Sequence, residues 1–255
     1  MDWLRVLLQV SEEVRRRVWE AYPAGRELDV DGFKDLLDQV AQMGVEDSLR
    51  RLGVDADVVS EEGSLVLGRG GPILVVDPVD GTTNLARGFN PATLSISVAT
   101  SPRQSAVQAA LVANLYTGRS FTAQLGRGAK LGDTPVEVAP PLPLEKAMLG
   151  FDTSKSGPGK AEQLLKISNH TRMEGCCSHS ICQVAAGALD AHIDLRGVLR
   201  ATDVSAGLFI LREAGGVYWL NGVDMGDLEL AEDSRCSLVA ASGPGLLKEI
   251  KETMG

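Results

Sequence analysis

The stretch Asp77-Pro78-Val79-Asp80-Gly81-Thr82-Thr83-Asn84, entered directly from the apolar run Ile73-Leu74-Val75-Val76, governs how the rest of the chain is read. The four apolar residues predict a buried strand that delivers Asp77 to its C-terminal end. Pro78 then fixes a turn, and Gly81 permits close backbone approach before a short helix begins. Two carboxylates three residues apart on such a turn can converge on hard cations, which prefer oxygen ligands. Backbone N–H groups at a helix start can hold a phosphate beside them. Metal and phosphate would then meet at one place. Asp-Gly alone is a common surface turn; it is the full string that points to chemistry.

Working outward, residues 3–22 have the spacing of an amphipathic helix, with Leu4, Leu7, Leu8, Val14, Val18 and Trp19 on one stripe. A Pro-Ala-Gly turn at 23–25 is expected to end it. A second helix is predicted from about Phe33, with Leu36, Leu37, Val40, Ala41 and Val45 on one face. Short β-type runs follow at 73–76, 94–99, 106–113 and 136–138, with turns at Tyr116-Thr117-Gly118 and Gly126-Arg127-Gly128. The proline-rich segment 139–143 is the expected boundary between an N-terminal α+β domain, 1–139, and a C-terminal α/β domain, 140–255. Beyond it, strands are predicted at 148–151 and 191–195, and helices at 160–167, 180–189 and 204–214, the last stopped by Gly215-Gly216. Strands mixed with helices in both halves suggest a layered α/β and α+β architecture.

Hydrophobic residues at 44% and charged residues at 23% are ordinary for a globular chain rather than a disordered one. No apolar run approaches the roughly 20 residues that span a bilayer, and the charged, amphipathic start is unlike a secretory signal. A cytoplasmic protein without membrane association is expected. The formal net charge of -9 argues against a nucleic-acid partner, whose backbone it would repel. Cys176, Cys177, Cys182 and Cys236 match no zinc-ribbon or CxxC spacing and are expected to be reduced, mostly buried thiols. His170, His179 and His192 lie in no recognisable catalytic string.

The 77–84 string resembles the signature Asp-Pro-[Ile/Val/Leu]-Asp-Gly-Thr-x-Asn of the inositol monophosphatase family. Upstream, Ser60-Glu61-Glu62-Gly63 is similar to that family's Gly-Glu-Glu motif, with Ser60 in place of the glycine. Downstream, Asp203-Val204-Ser205-Ala206-Gly207 and Glu213-Ala214-Gly215-Gly216 resemble its Trp-Asp-x-Ala-Ala-Gly…Glu-Ala-Gly-Gly, with Thr202 where tryptophan is usual. Gly126–Gly132 and Gly187–Asp190 carry weaker similarity, so the resemblance covers nearly the whole chain. It implies an αβαβα five-layer sandwich, a homodimer, and hydrolysis of phosphate monoesters with two or three Mg²⁺ per active site, Mn²⁺ being a substitute.

Carried over by position, Glu61, Asp77 and the carbonyl of Val79 would hold a first cation, and Asp77, Asp80 and Asp203 a second. Thr82 would act with Glu61 to orient or deprotonate the attacking water. Asp38 would stand near that water and a third, weaker ion. Gly81 and Thr82 N–H groups would cradle phosphate oxygens, and Glu62 would be solvated or paired locally. Two cations about 3.5–4 Å apart stabilise entering and leaving oxygens together, and the Asp77/Asp80 spacing does not match the Asp-x-Asp of aspartate-nucleophile phosphatases, so no phosphoenzyme need form.

Substrate contacts are expected where Gly175–Ser178 and Asp190–Leu199 approach the metals, with Cys177 in the wall. Arg172-Met173-Glu174-Gly175-Cys176-Cys177 resembles the family's Arg-x-x-Gly-[Ser/Thr]-Ala, and Asp194 falls where members often contact inositol. The run Leu195-Arg196-Gly197-Val198-Leu199-Arg200 resembles archaeal members that hydrolyse both fructose 1,6-bisphosphate and inositol monophosphates. A guanidinium fork suits a second phosphate, making Arg172 and Arg196 candidates for it. Two other functions fit the fold: a phosphatase acting on 3′-phosphoadenosine 5′-phosphate or NADP, and a non-catalytic regulatory or RNA-associated protein. Aromatic residues at 4% offer little to stack a base. The complete carboxylate set and the acidic balance speak against the non-catalytic one.

Overall fold

A computed structural model describes residues 1–68, 70–156 and 159–255. The chain opens with two long helices, α1 (Trp3–Gly25) and α2 (Val30–Arg51). Asp2 caps the first, accepting from Arg5 N at 3.3 Å, and Asp29 caps the second, accepting from Gly32 N at 2.8 Å. The expected stop at Pro23 does not occur; α1 runs on to Gly25 with Pro23 inside it. The reason lies in the packing of the helix end. Tyr22 stacks edge-on against Phe33 at 5.0 Å, and the same ring lies so close to Gly25 that a Cβ there would overlap it. The second helix accordingly begins at Val30, earlier than Phe33.

An eight-stranded sheet follows: β1 (Asp57–Ser60), β2 (Leu65–Val66), β3 (Ile73–Asp80), β4 (Thr93–Ala99), β5 (Val107–Asn114), β6 (Ser120–Gln124), β7 (Ala129–Leu131) and β8 (Thr134–Val136). Its spatial order is β2-β1-β3-β4-β5-β6-β7-β8, antiparallel except for the β1–β3 pair. The short helix α3 (Thr82–Ala86) leaves the end of β3. After the proline-rich segment comes a six-stranded sheet built from β9 (Met148–Phe151), β10 (His170–Arg172), β11 (Ala191–Arg200), β12 (Val217–Leu220), β13 (Val223–Asp224) and β14 (Arg235–Ala241), ordered β10-β9-β11-β14-β12-β13. Helices α4 (Glu162–Ile167), α5 (Cys177–Ala185), α6 (Ala201–Glu213) and α7 (Pro244–Met254) accompany it.

Side-chain alternation sorts these elements into layers. On β3, Leu74 and Val76 face α1 and α2, joined there by Leu94, Ile96, Leu111 and the helix residues Leu7, Val14, Leu37 and Val45. Val75 faces the other way, into a core shared by α5 and α6 (Ile181, Val204, Leu208) and by the second sheet (Tyr218, Leu238, Ala240). The far face of that sheet buries Leu149, Ile193 and Val239 under α4 and α7, through Leu164, Leu247 and Ile250. The result is α1/α2, sheet, α5/α6, sheet, α4/α7: five alternating layers. The proline-rich segment joins the two sheets, while the central helices pack against both.

Two predicted helices shift. The one expected over 180–189 spans 177–185, because Gly187 turns left-handed at φ +70 and closes the helix early. The one expected over 204–214 starts at Ala201, so Asp203 occupies its first turn. Strands β1, β2, β6, β7, β10, β12, β13 and β14 and the helix α7 were not anticipated.

Candidate active site and family

Asp77 continues the β3 alternation and shares Val75's side of the pleat, toward α6. The register of β3 against β4 breaks between Asp77 and Asp80, so the strand bends where the carboxylates sit. On β4 small polar residues let α6 approach: Ser97 Oγ lies 2.7 Å from Ser205 Oγ, and Ser95 Oγ donates to the carbonyl of Thr202 at 3.4 Å. That seating brings the next residue, Asp203, to Asp77. Helix α5 packs equally closely on α6, since a Cβ on Gly207 would stand 3.1 Å from Ile181.

Glu61, on the turn after β1, completes the cluster. Carboxylate oxygens of Glu61, Asp77 and Asp203 lie within 4.8 Å of one another. They open on a cavity of about 210 Å³ also lined by Val79, Asp80, Gly81, Thr82, Asp152, Gly175, Cys177, Arg196 and Leu199. A hard, all-oxygen donor set of this kind fits a divalent cation such as Mg²⁺.

Asp80 lines the same cavity but is turned aside. Its Oδ2 accepts from the Ser178 amide at 2.7 Å and the Ser178 hydroxyl at 2.6 Å, at the start of α5. The three-carboxylate group therefore forms without it. Thr82 Oγ1 lies 2.9 Å from both Asp38 Oδ1 and the Val79 carbonyl, which places Asp38 against the 79–82 turn. Gly81 adopts φ +85, with Cys176 Cβ and the Pro91 carbonyl each 3.3 Å from where a Cβ would stand. Asn84 ties this turn to the substrate side, its Nδ2 donating to Pro91 O at 2.9 Å and Glu174 O at 2.7 Å.

Concentrating carboxylates here has an electrostatic cost. Burial, then the charges of Asp80, Asp203 and Asp38, push Asp77 well above the usual carboxylate range. Burial and Asp80 raise Asp203 to about 6, against the help of the Arg200 amide. Burial raises Asp38 to about 7. Burial also raises Asp80, opposed by its bonds from Ser178. Glu61 and Glu62 sit on a turn rather than on one strand. Burial and the nearby Asp35 raise Glu62.

The substrate-side expectations fare unevenly. Cys177 lines the cavity, its Sγ 3.7 Å from His192 Nε2. Arg196 lines it too, yet its fork is engaged. Its Nε donates to Asp194 Oδ1 at 2.9 Å, and its Nη2 reaches Asp194 Oδ2 and, at 3.1 Å, Asp152 Oδ2. Asp194 is fully buried beneath that fork and does not reach the cavity, because both its oxygens serve Arg196. Arg172 stands exposed on β10, bonded to the Thr171 carbonyl, and is not in the lining. Two residues at the site were not foreseen. Asp152 follows the apolar run 148–151 much as Asp77 follows 73–76, a signal that was there to use. Arg200 forms an ion pair with Glu61; no local pattern announces it. Of the histidines, His179 bonds Glu174 at 2.8 Å, His192 is buried and His170 lies exposed on β10.

The model of the inositol monophosphatase family matches residues 4–249. The chain belongs to the inositol monophosphatase family. Its relatives include the fructose-1,6-bisphosphatase/inositol-1-monophosphatase of Archaeoglobus fulgidus, 31% identical over 261 residues that cover 98% of each chain. The protein of the same name from Thermococcus kodakarensis is 28% identical over 259 residues, covering 99% of this chain and 97% of that one. Among solved structures, an inositol monophosphatase–fructose 1,6-bisphosphatase superposes with a TM-score of 0.84 at 22% identity, covering 99% of this chain and all of the other. The fold and family implied by the motifs are therefore those of the protein. Among the described residues no helix is long and apolar enough to cross a membrane.

Proposed function

We propose that this inositol monophosphatase family member is a phosphatase that hydrolyses phosphate monoesters of small sugars and cyclitols, fructose 1,6-bisphosphate and inositol monophosphates foremost, by direct attack of water. The observation that carries this is the convergence of Glu61, Asp77 and Asp203 within 4.8 Å on a cavity that also holds the Gly81–Thr82 turn. Bound to these carboxylates, two or three Mg²⁺ ions, or Mn²⁺ in their place, would polarise the phosphoryl group and acidify the attacking water.

The chain's own residues do the positioning. Glu61, Asp77, Asp203 and the Val79 carbonyl supply ligands, and Asp80 joins them through Oδ1, the oxygen that takes neither bond from Ser178. Thr82, oriented by Asp38, holds the attacking water beside Glu61. Gly81 and Thr82 present backbone N–H groups to the phosphate oxygens. Cys177, Gly175 and Leu199 form the wall against the alcohol. A second phosphate would reach Arg196 by replacing Asp152, the longer of its two carboxylate contacts; Arg172 and Asp194 stand outside the cavity lining and have no such route. The described lining contains no aromatic side chain, which favours a sugar over the purine of a nucleotide substrate. A cytoplasmic homodimer without a nucleic-acid partner is part of this proposal.

Phosphate release from a panel of fructose 1,6-bisphosphate, inositol 1-phosphate, 3′-phosphoadenosine 5′-phosphate and NADP, with and without Mg²⁺, is the test. Mg²⁺-dependent release from the first two is expected. Turnover that survives exhaustive chelation, or release confined to the nucleotides, would overturn the proposal.

A further inference from the structure

Each carboxylate at this cavity has a local partner, and the partners differ in kind. Asp80 is held by the Ser178 amide and hydroxyl, Asp77 by the Val79 amide and Asp152 by Arg196. Glu61 is held by Arg200, whose ion-pair partner is thus one of the three clustered carboxylates. Arg200 touches a second member as well, since its backbone amide donates to Asp203 Oδ2 at 2.8 Å. It sits where β11 passes into α6, after a break in the register of β11 between Asp194 and Leu199. Its side chain is 38% exposed, with an open route to solvent.

These facts bear on how the site takes up a cation. The guanidinium draws on Glu61 Oε1, an oxygen of a carboxylate that a divalent ion at the cluster would also use, and a guanidinium beside such an ion repels it. The pair therefore opposes the first cation at Glu61. Resting on the metal-dependent reading above, we propose that Arg200 is a built-in stand-in for the first cation. It orients Glu61 toward Asp77 and Asp203, competes with the metal for that carboxylate, and swings toward solvent when the metal binds. Arg200 is in this sense a positioning residue that sets metal affinity. Arg196 cannot play this part, because its carboxylates are not those of the cluster.

Calorimetric titration of the chelator-treated full chain with MgCl₂ tests this, comparing wild type with Arg200→Gln and Arg200→Lys. Removing a half-exposed ion pair that opposes binding should lower the Mg²⁺ dissociation constant of Arg200→Gln roughly threefold to fivefold. Arg200→Lys, which keeps the charge, should stay nearer wild type. The melting temperature of Arg200→Gln should fall without Mg²⁺ and match wild type with saturating Mg²⁺. Should Arg200→Gln fail to fold without metal, ¹⁵N spectra of wild-type arginine side chains give the same answer: one protected guanidinium signal should disappear as the first Mg²⁺ binds. Unchanged or weaker Mg²⁺ binding by Arg200→Gln, or a guanidinium signal indifferent to Mg²⁺, would overturn the proposal while leaving the phosphatase reading intact. A wild-type chain that binds no Mg²⁺ at all would remove both.

Discussion

Thr82 has one hydroxyl proton and two oxygens within 2.9 Å that compete for it, Asp38 Oδ1 and the Val79 carbonyl. Its proton is thereby confined to those two acceptors, which fixes the hydroxyl as the proposed water-orienting role requires. Thr82→Val keeps the volume and removes the hydroxyl. The expected result is a fall in kcat of about 10²-fold or more, in the range of a lost proton-transfer or orienting group, with little change in the Mg²⁺ dissociation constant. A kcat within a few fold of wild type would show that Thr82 only braces the turn. Asp77 calls for a different argument. It is 3% exposed, and its carboxylate is opposed by burial and by three neighbouring acids. Asp77→Asn preserves the shape and the bond from the Val79 amide. It should cut turnover by about 10³-fold, as expected when a preorganised electrostatic element is lost, and abolish Mg²⁺-induced stabilisation. The chelated variant should nevertheless melt higher than chelated wild type, by about 2–4 °C for each kcal/mol of relieved repulsion. A variant that still gains stability from Mg²⁺ would place the first cation elsewhere.

Elements carry the geometry that single residues use, and the turn from β3 into α3 is the tightest. Gly81 holds φ +85 with Cys176 Cβ and the Pro91 carbonyl each 3.3 Å from the missing Cβ. Gly81→Ala meets both a left-handed backbone and two close neighbours, at a cost of about 1–3 kcal/mol. The variant should melt several degrees lower, and its kcat/KM should fall further than stability alone explains, because Gly81 and Thr82 amides would be re-aimed. Activity at the wild-type level with only a lowered Tm would show that the turn does not hold phosphate. This turn was legible in the sequence because its determinants are local: a continuous apolar run at 73–76, then Asp77, Pro78, Asp80 and Gly81 in close succession. The placement of Asp203 was legible only through its motif. The helix predicted over 204–214 leaves it just outside, whereas it sits in the first turn of α6 and accepts from the Arg200 amide. What brings it to Asp77 is tertiary, two serines on β4 that let α6 come close. Asp194 illustrates the opposite failure. Its position in the chain suggested a substrate contact, but the arginine two residues later folds back and takes both its oxygens. The order of residues reveals their neighbours in sequence, and a buried fork closing on an acid is decided by the β11 register.

At the scale of the molecule, the acidic cluster lies on the seam where the first sheet meets the central helix layer, so its charge state bears on the stability of the fold. Asp38 and Asp203 are raised to about 7 and about 6 from an ordinary value of 3.8, and Asp77 and Asp80 are raised as well. An acid whose pKa is higher in the folded than in the unfolded chain binds more protons when folded. Its contribution to stability is fully present below about pH 4 and is lost as pH rises through the folded value. The chelated protein should therefore melt progressively lower between about pH 5 and about pH 8, and saturating Mg²⁺, by replacing the protons with cations, should flatten that decline. The net charge of -9 produces a trend of the same sign through diffuse surface repulsion. Salt separates the two, because exposed charges are screened within about 8–10 Å at physiological ionic strength and buried pairs much less. Melting curves of the chelated wild type and Asp77→Asn across this pH range, each at low and at high NaCl, give the comparison. If the cluster is the source, the slope survives salt in the wild type and shrinks in Asp77→Asn. A slope that salt abolishes in both proteins would assign it to the surface, and a flat profile in chelated wild type would mean that the carboxylates are not buried together in solution.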